Sequence, residues 1–218
     1  LAMLLWYLNP YIMITENYTY FDPLAILFML LALHFLEKDN VLTGAFLALS
    51  IAFKTFPILL FPIFLIKSDN KFKFITSGLV VGIVLSLPFL TSIQDFLTYI
   101  KGALFVHGSR GMQGRPFLYY ISFLYEIEFF RIIPTNIYTY LATFSGWVVT
   151  TIVLLKNKFI NKYVLAMIPF ILFYMLTPVL NRTYLLWGMP ILFIGLSELF
   201  AKKKVAFICY LAFYGFYW

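Results

Sequence analysis

The sequence predicts an all-α, polytopic transmembrane helical bundle, and three observations carry that prediction. Hydrophobic residues make up 63% of the 218, aromatic residues 21% and charged residues only 11%, and the mean hydropathy is +0.92. These values lie far outside the soluble globular range. Apolar runs recur along the whole chain between short polar breaks, and lysine gathers in alternate breaks, as it does in cytoplasmic loops. The formal net charge of +7 is therefore read as topology and contact with membrane lipid, with no nucleic-acid partner. The single cysteine, Cys209, excludes an intrachain disulfide and is expected to face lipid or fill the core. The chain starts inside one apolar run and stops inside another, so residues 1–218 read as a fragment of a longer protein, forming a single membrane domain.

Taken in order, the apolar runs fall at 1–15, 23–36, 41–53, 57–66, 74–90, 137–155, 163–180, 184–199 and 205–218. Several are shorter than the ~20 residues that a full span needs. The first and last are cut by the ends of the sequence. Asp22 followed by Pro23 is a good start for the helix at 23–36, with the carboxylate at the N-cap and proline at the first helical position. Lys54-Thr55-Phe56-Pro57 interrupts an apolar stretch from 41 to 66, which predicts a tight helical hairpin or a broken helix with a lysine at its tip. With the loop at 37–40 placed in the cytoplasm, the cytoplasmic side holds Lys38, Lys67, Lys71, Lys73, Lys156, Lys158, Lys162 and Lys202 to Lys204. These are ten of the sixteen basic residues. Lys54, Lys101 and all four arginines fall on the other face. Residues 91–136 then form one external loop. Its stretch 116–130 carries Glu126 and Glu128, and crossing the membrane there would move the later lysine clusters outside. An interfacial segment is expected instead, with Tyr119, Tyr120, Phe123, Tyr125 and Phe129 at the headgroup level.

Five places carry candidate chemistry, each beside a plainer reading. Asp22 and Glu16 either face a polar cavity as acceptor-binding groups, or Asp22 simply caps its helix. Lys54 either meets an anion or snorkels to the surface. The stretch from His107 to Pro116 combines three glycines with Arg110 and Arg115, residue types that let backbone amides and guanidinium forks approach a phosphate. It equally suits a flexible loop touching headgroups, and it lacks the GKS or GKT of a nucleotide loop. Arg182 stands between two runs with almost no loop, followed by Tyr184, Trp187 and Pro190, an aromatic entrance that also fits an interfacial anchor. His34 reads as packing. With His107 the only other histidine, no zinc-type ligand set is expected, and no nucleophile elbow starts a Ser-His-Asp arrangement.

Several of these motifs together resemble a family. Leu8-Asn9-Pro10-Tyr11, Tyr20-Phe21-Asp22-Pro23-Leu24, Lys54-Thr55-Phe56-Pro57 and the later Arg182-x-Tyr184-x-x-Trp187-x-x-Pro190 are similar to motifs of the GT-C glycosyltransferases that use polyprenyl-phosphate sugars. The likeness is greatest to the prokaryotic and archaeal α-mannosyltransferase-like group, and it runs over essentially the whole chain. Thr19-Tyr20 stands where that group commonly has Gly-Gln. The family's catalytic carboxylate lies in a first external loop, which would precede Leu1.

The resemblance implies an inverting hexosyltransferase, within that group a mannosyltransferase. It would move a sugar from a polyprenyl-phosphate donor to a glycan or glycolipid acceptor, with no cofactor and no metal in this part of the chain. It implies a multi-pass protein of the plasma membrane with its site on the non-cytoplasmic face. Glu16, Asp22 and Tyr184 would bind substrate, and Lys54, His107, Arg110, Arg115 and Arg182 the donor phosphate. The catalytic base is unassigned. Two alternatives stand beside this: a non-catalytic GT-C-like subunit of a glycolipid-processing complex, and a lipid or solute transporter, although no internal symmetry of the transporter kind is visible.

Overall fold

Polar breaks in the sequence become helix boundaries in the structure, a computed structural model that describes residues 22–89, 91–105, 113–114, 116–117 and 135–200. The runs expected at 1–15 and 205–218 lie outside the described residues, as does the expected interfacial stretch from 118 to 130. The helices are α1 (Asp22–Phe35), α2 (Asn40–Phe53), α3 (Phe61–Lys67), α4 (Lys71–Ser86), α5 (Ile93–Phe105), α6 (Thr135–Lys156), α7 (Lys162–Leu176) and α8 (Arg182–Phe200). Tight 3-10 turns at Phe56–Leu60 and Leu87–Phe89 lead into α3 and continue α4. The described residues add one two-residue pairing, β1 (Gln113–Gly114) with β2 (Val179–Leu180), in parallel.

Short polar side chains start the helices. Asp39 accepts from the amides of Val41 and Leu42 at 2.8 and 3.0 Å, Asn70 from Lys73 at 3.0 Å, and Asn161 from Tyr163 and Val164 at 2.8 and 3.4 Å. Each satisfies amides that a helix N-terminus leaves without partners. The apolar run expected to continue to 180 stops as a helix at Leu176. Thr177 turns extended, and its hydroxyl donates to the Val179 carbonyl at 2.9 Å, handing the chain to β2.

Two groups of helices pack separately, α1 with α2 and α4, and α6 with α7 and α8, and the Phe56–Lys67 segment lies between them. Within the first group Ser50 donates to the Ala25 carbonyl at 2.6 Å, a buried bond between α2 and α1. Gly44 lets α2 lie directly on α4: a Cβ there would collide with the Phe74 carbonyl and the Ser77 hydroxyl. Between the groups, Trp147 on α6 donates its indole N–H to the Ile58 carbonyl at 3.0 Å. That carbonyl also accepts from the Phe61 N–H in the 3-10 pattern, and the indole takes the place open to a second donor because Pro62, four residues on, has no N–H.

The loop between α1 and α2 makes a further tie between the groups. Glu37 meets Lys67 at the end of α3 at 3.5 Å and Lys162 at the start of α7 at 3.3 Å. The ends of α1, α3 and α6 and the starts of α2, α4 and α7 thus share one lysine-rich end. Among the described residues, two helices are long and apolar enough to cross a membrane, Lys71–Phe89 and Ile137–Lys156. At 14 residues each, α1 and α2 rise only ~21 Å, short of the ~30 Å hydrocarbon core.

Two outcomes follow from these contacts. Gly44→Ala should cost about 1–3 kcal/mol through overpacking, whereas Gly82→Ala, whose Cβ would meet nothing within 4 Å, should be neutral or stabilising. Thermal unfolding in detergent compares them. Burial pushes the Glu37 carboxyl up, but Lys162 and Lys67 outweigh it and hold it below the ordinary carboxylate value of 4.5. A lowered folded value means that the stabilisation is fully present above pH 4.5 and is lost as pH falls through the folded value. With Glu37 51% exposed, it amounts to about 0–1 kcal/mol. Unfolding midpoints of wild type and Glu37→Gln should therefore differ at neutral pH and converge in acid.

Candidate functional site

Asp22 begins α1 yet is 3% exposed, a costly burial for a carboxylate unless it is paired. One of its oxygens takes both of its contacts. Oδ1 lies 3.3 Å from Lys54 Nζ and accepts from the Trp187 indole N–H at 2.9 Å. The carboxylate thus faces the end of α2 and the side of α8 rather than the amides of its own helix, so its structural role is an ion pair rather than an N-cap. Lys54 can reach it because α2 stops there: the backbone of Lys54 is extended, at φ −158° and ψ 140°, and Pro57 starts the next turn. The expected break at Lys54-Thr55-Phe56-Pro57 is present, and the anion that Lys54 meets is Asp22. The Lys54 side chain is 31% exposed, and its ammonium carries three donors.

Trp187 is held in place from every side. Its ring stacks with Phe56 at 4.4 Å and with Tyr184 at 4.0 Å, and Phe173 packs at 6.3 Å. Tyr184 is 7% exposed and serves this stack, so its ring is turned inward. Below the stack the Tyr174 hydroxyl enters the backbone of α8, accepting from the Gly188 N–H at 2.8 Å and donating to the Tyr184 carbonyl at 2.9 Å. Those are two groups that a regular helix pairs with each other. Only glycine leaves room, since a Cβ at position 188 would come within 2.7 Å of that hydroxyl.

Beside this node, β1 and β2 pair Gln113 with Val179 and Gly114 with Leu180. Arg115 follows directly on Gly114, and Arg182 comes two residues after Leu180 and opens α8. The pairing joins Gln113 and Gly114 to the turn between α7 and α8. Glu16, His107, Arg110 and Arg115 lie outside the described residues, as does the side chain of Arg182. Of the site residues proposed from sequence, the structure brings together Asp22, Lys54 and Tyr184. Trp187, which bonds the acid directly, was visible only as part of an aromatic entrance, and Tyr174 carried no signal beyond one more aromatic in an apolar run. His34 sits at the opposite, lysine-rich end, 3.0 Å from Lys38. Among the described residues, no group of three or more His, Cys, Asp or Glu side chains could hold a metal ion.

No family model, curated protein or solved structure matches this chain. The likeness to GT-C enzymes rests on the motifs themselves.

Removing the acid should be felt at both partners. Asp22→Ala is expected to cost about 1.5–3 kcal/mol, the range for lost hydrogen bonds to a charged group. Asp22→Asn should cost less, because its amide oxygen can still accept from Trp187. Thermal unfolding in detergent, with the Trp187→Phe background as a comparison, checks the order.

Proposed function

We propose that this chain is part of a multi-pass membrane glycosyltransferase of GT-C type, which moves a sugar from a polyprenyl-phosphate donor to a glycan or lipid-linked acceptor. The observation that carries the reading is the convergence at the end of the bundle away from the lysines. A buried acid and a partly exposed lysine, Asp22 and Lys54, stand where α1, α2 and α8 meet, and β1 pairs with β2 in the turn that leads into α8 at the same end. A cation beside a buried acid at one end of an apolar bundle suits a substrate that is a lipid in one half and a phosphate in the other. In this reading the lysine-rich end is cytoplasmic, by the positive-inside rule, and the site is on the non-cytoplasmic face. Helices too short to span alone, such as α1 and α2, surround the site within the bundle.

In such a transfer the acceptor oxygen bonds to the anomeric carbon as the bond from that carbon to the phosphate oxygen breaks. The bonding pair leaves on the phosphate, and the acceptor proton passes to a base. Charge grows on the departing phosphate, so fixed cations beside it lower the barrier. Lys54 is suited to that position, because Asp22 holds its ammonium in place and its remaining donors can turn outward. Arg182, Arg110, Arg115 and His107 would share the phosphate. Asp22 and Glu16 would orient the acceptor. The base itself belongs to none of the residues described.

Transfer from a panel of polyprenyl-phosphate sugars, in membranes that carry the full gene product, tests the reading. Lys54→Ala and Arg182→Ala should each lower turnover by a factor on the order of 10², and Lys203→Ala should leave it unchanged. Equal activity of all three at equal expression would overturn the assignment.

A further inference from the structure

We infer that α5 is a membrane-surface helix that lies flat at the headgroup boundary, at the same end of the bundle as the candidate site, with the bilayer as the partner of its apolar face. The sequence IQDFLTYIKGALF of α5 places Ile93, Phe96 and Leu97 on one stripe at helical spacing, and Asp95, Thr98 and Gly102 on the opposite side. Part of the apolar stripe stands open: Ile93 is 82% exposed, Leu97 46% and Phe96 40%.

The neighbouring helix says what covers it. α4 and its last turn, Lys71–Phe89, are long and apolar enough to cross a membrane, and only 6% of that stretch is buried in the protein. Leu79, Val80, Ile83 and Val84 on it are all more than half exposed, an apolar surface that hydrocarbon suits and water does not. Its 19 residues rise ~28 Å, about the thickness of the hydrocarbon core. Lys71 and Lys73 mark one boundary, and the other falls at Phe89, four residues before α5 begins.

Two contacts fix α5 at that depth. Tyr99 stacks on Phe89 at 4.8 Å, with the rings 7° from parallel, and its hydroxyl meets Ser86 at 3.4 Å. Asp95, held low by hydrogen bonds from Thr91 and Ser92, closes the first turn of α5 and keeps the connection short. The charges of Asp95 and Lys101 cancel, so apolar insertion rather than attraction to anionic lipid holds the helix.

The test uses the full chain, in a Cys209→Ser background, reconstituted in phosphatidylcholine vesicles with and without phosphatidylglycerol. A bimane label is placed in turn at Phe96→Cys, Thr98→Cys and Leu79→Cys. The label at 96 should lose fluorescence to a lipid nitroxide near the headgroup and resist iodide, and the label at 98 should behave in the opposite way. The label at 79 should respond to a nitroxide deep in the acyl chains. Adding phosphatidylglycerol should change none of these. Iodide quenching at 96 would overturn the inference, as would protection at 96 from both quenchers, which would mean that protein covers the face. Iodide quenching at 79 would remove its premise. None of these readouts depends on sugar transfer, so the transferase proposal and this one fail separately.

Discussion

A single carboxylate oxygen holds the two halves of this helical structure together at one end. Asp22 Oδ1 takes a bond from Lys54, where α2 breaks, and another from Trp187 on α8. Those partners belong to different helix groups, and a buried charge cannot give up either without exposing an unpaired polar group to an apolar surrounding. The aromatic stack around Trp187 depends on the same point, because Phe56 reaches it only after the chain has turned at Lys54. Around this node the backbone departs from regular helix: an extended residue at 54, a 3-10 turn at Phe56–Leu60, a tyrosine hydroxyl bridging α8 at Gly188, and a short parallel pairing at Val179–Leu180.

The other end is built on a different principle. Glu37 also bridges the two groups, through Lys67 and Lys162, but in the open. Water screens that pair, and it contributes little beyond local order. The helices there begin on ordinary Asp and Asn caps. An acid thus stands at the start of α1 and another in the loop just after it, the first buried, the second exposed. An irregular backbone in an apolar bundle is tolerable only when side chains or a polar space satisfy it, and here Trp147, Tyr174 and Thr177 do so with their hydrogen bonds.

Much of the helix layout was legible in the sequence, and for definite reasons. The helix starts at Asn40, Lys71 and Lys162 follow Asp39, Asn70 and Asn161, residues whose short side chains cap amides. Lys54 and Pro57 announced the break after α2, since a charge interrupts the apolar run there and proline cannot donate to the preceding turn. The helical character of α5 was masked by the more aromatic stretch after Pro116, although its own apolar spacing is regular. The stop at Leu176 was not legible either: Pro178 interrupts a run whose apolar character continues to 180, and hydropathy does not register the change from helix to extended chain.

Of the candidate site, the residue types were legible and the partnerships were not. Composition and the spacing of apolar runs determined that this chain is helical, rich in surfaces that water cannot cover, and charged asymmetrically, because those properties add along the sequence. They also marked Asp22 and Lys54 as unusual, since an ion in an apolar run must find a reason to be there. Which reason it finds depends on residues 32 and 165 positions away from Asp22, and no local pattern encodes that distance. Only the packing of α1 against α2 and α8 decided that the acid meets the lysine and the indole, because the cost of burying its charge is met by whatever donors the fold brings within reach.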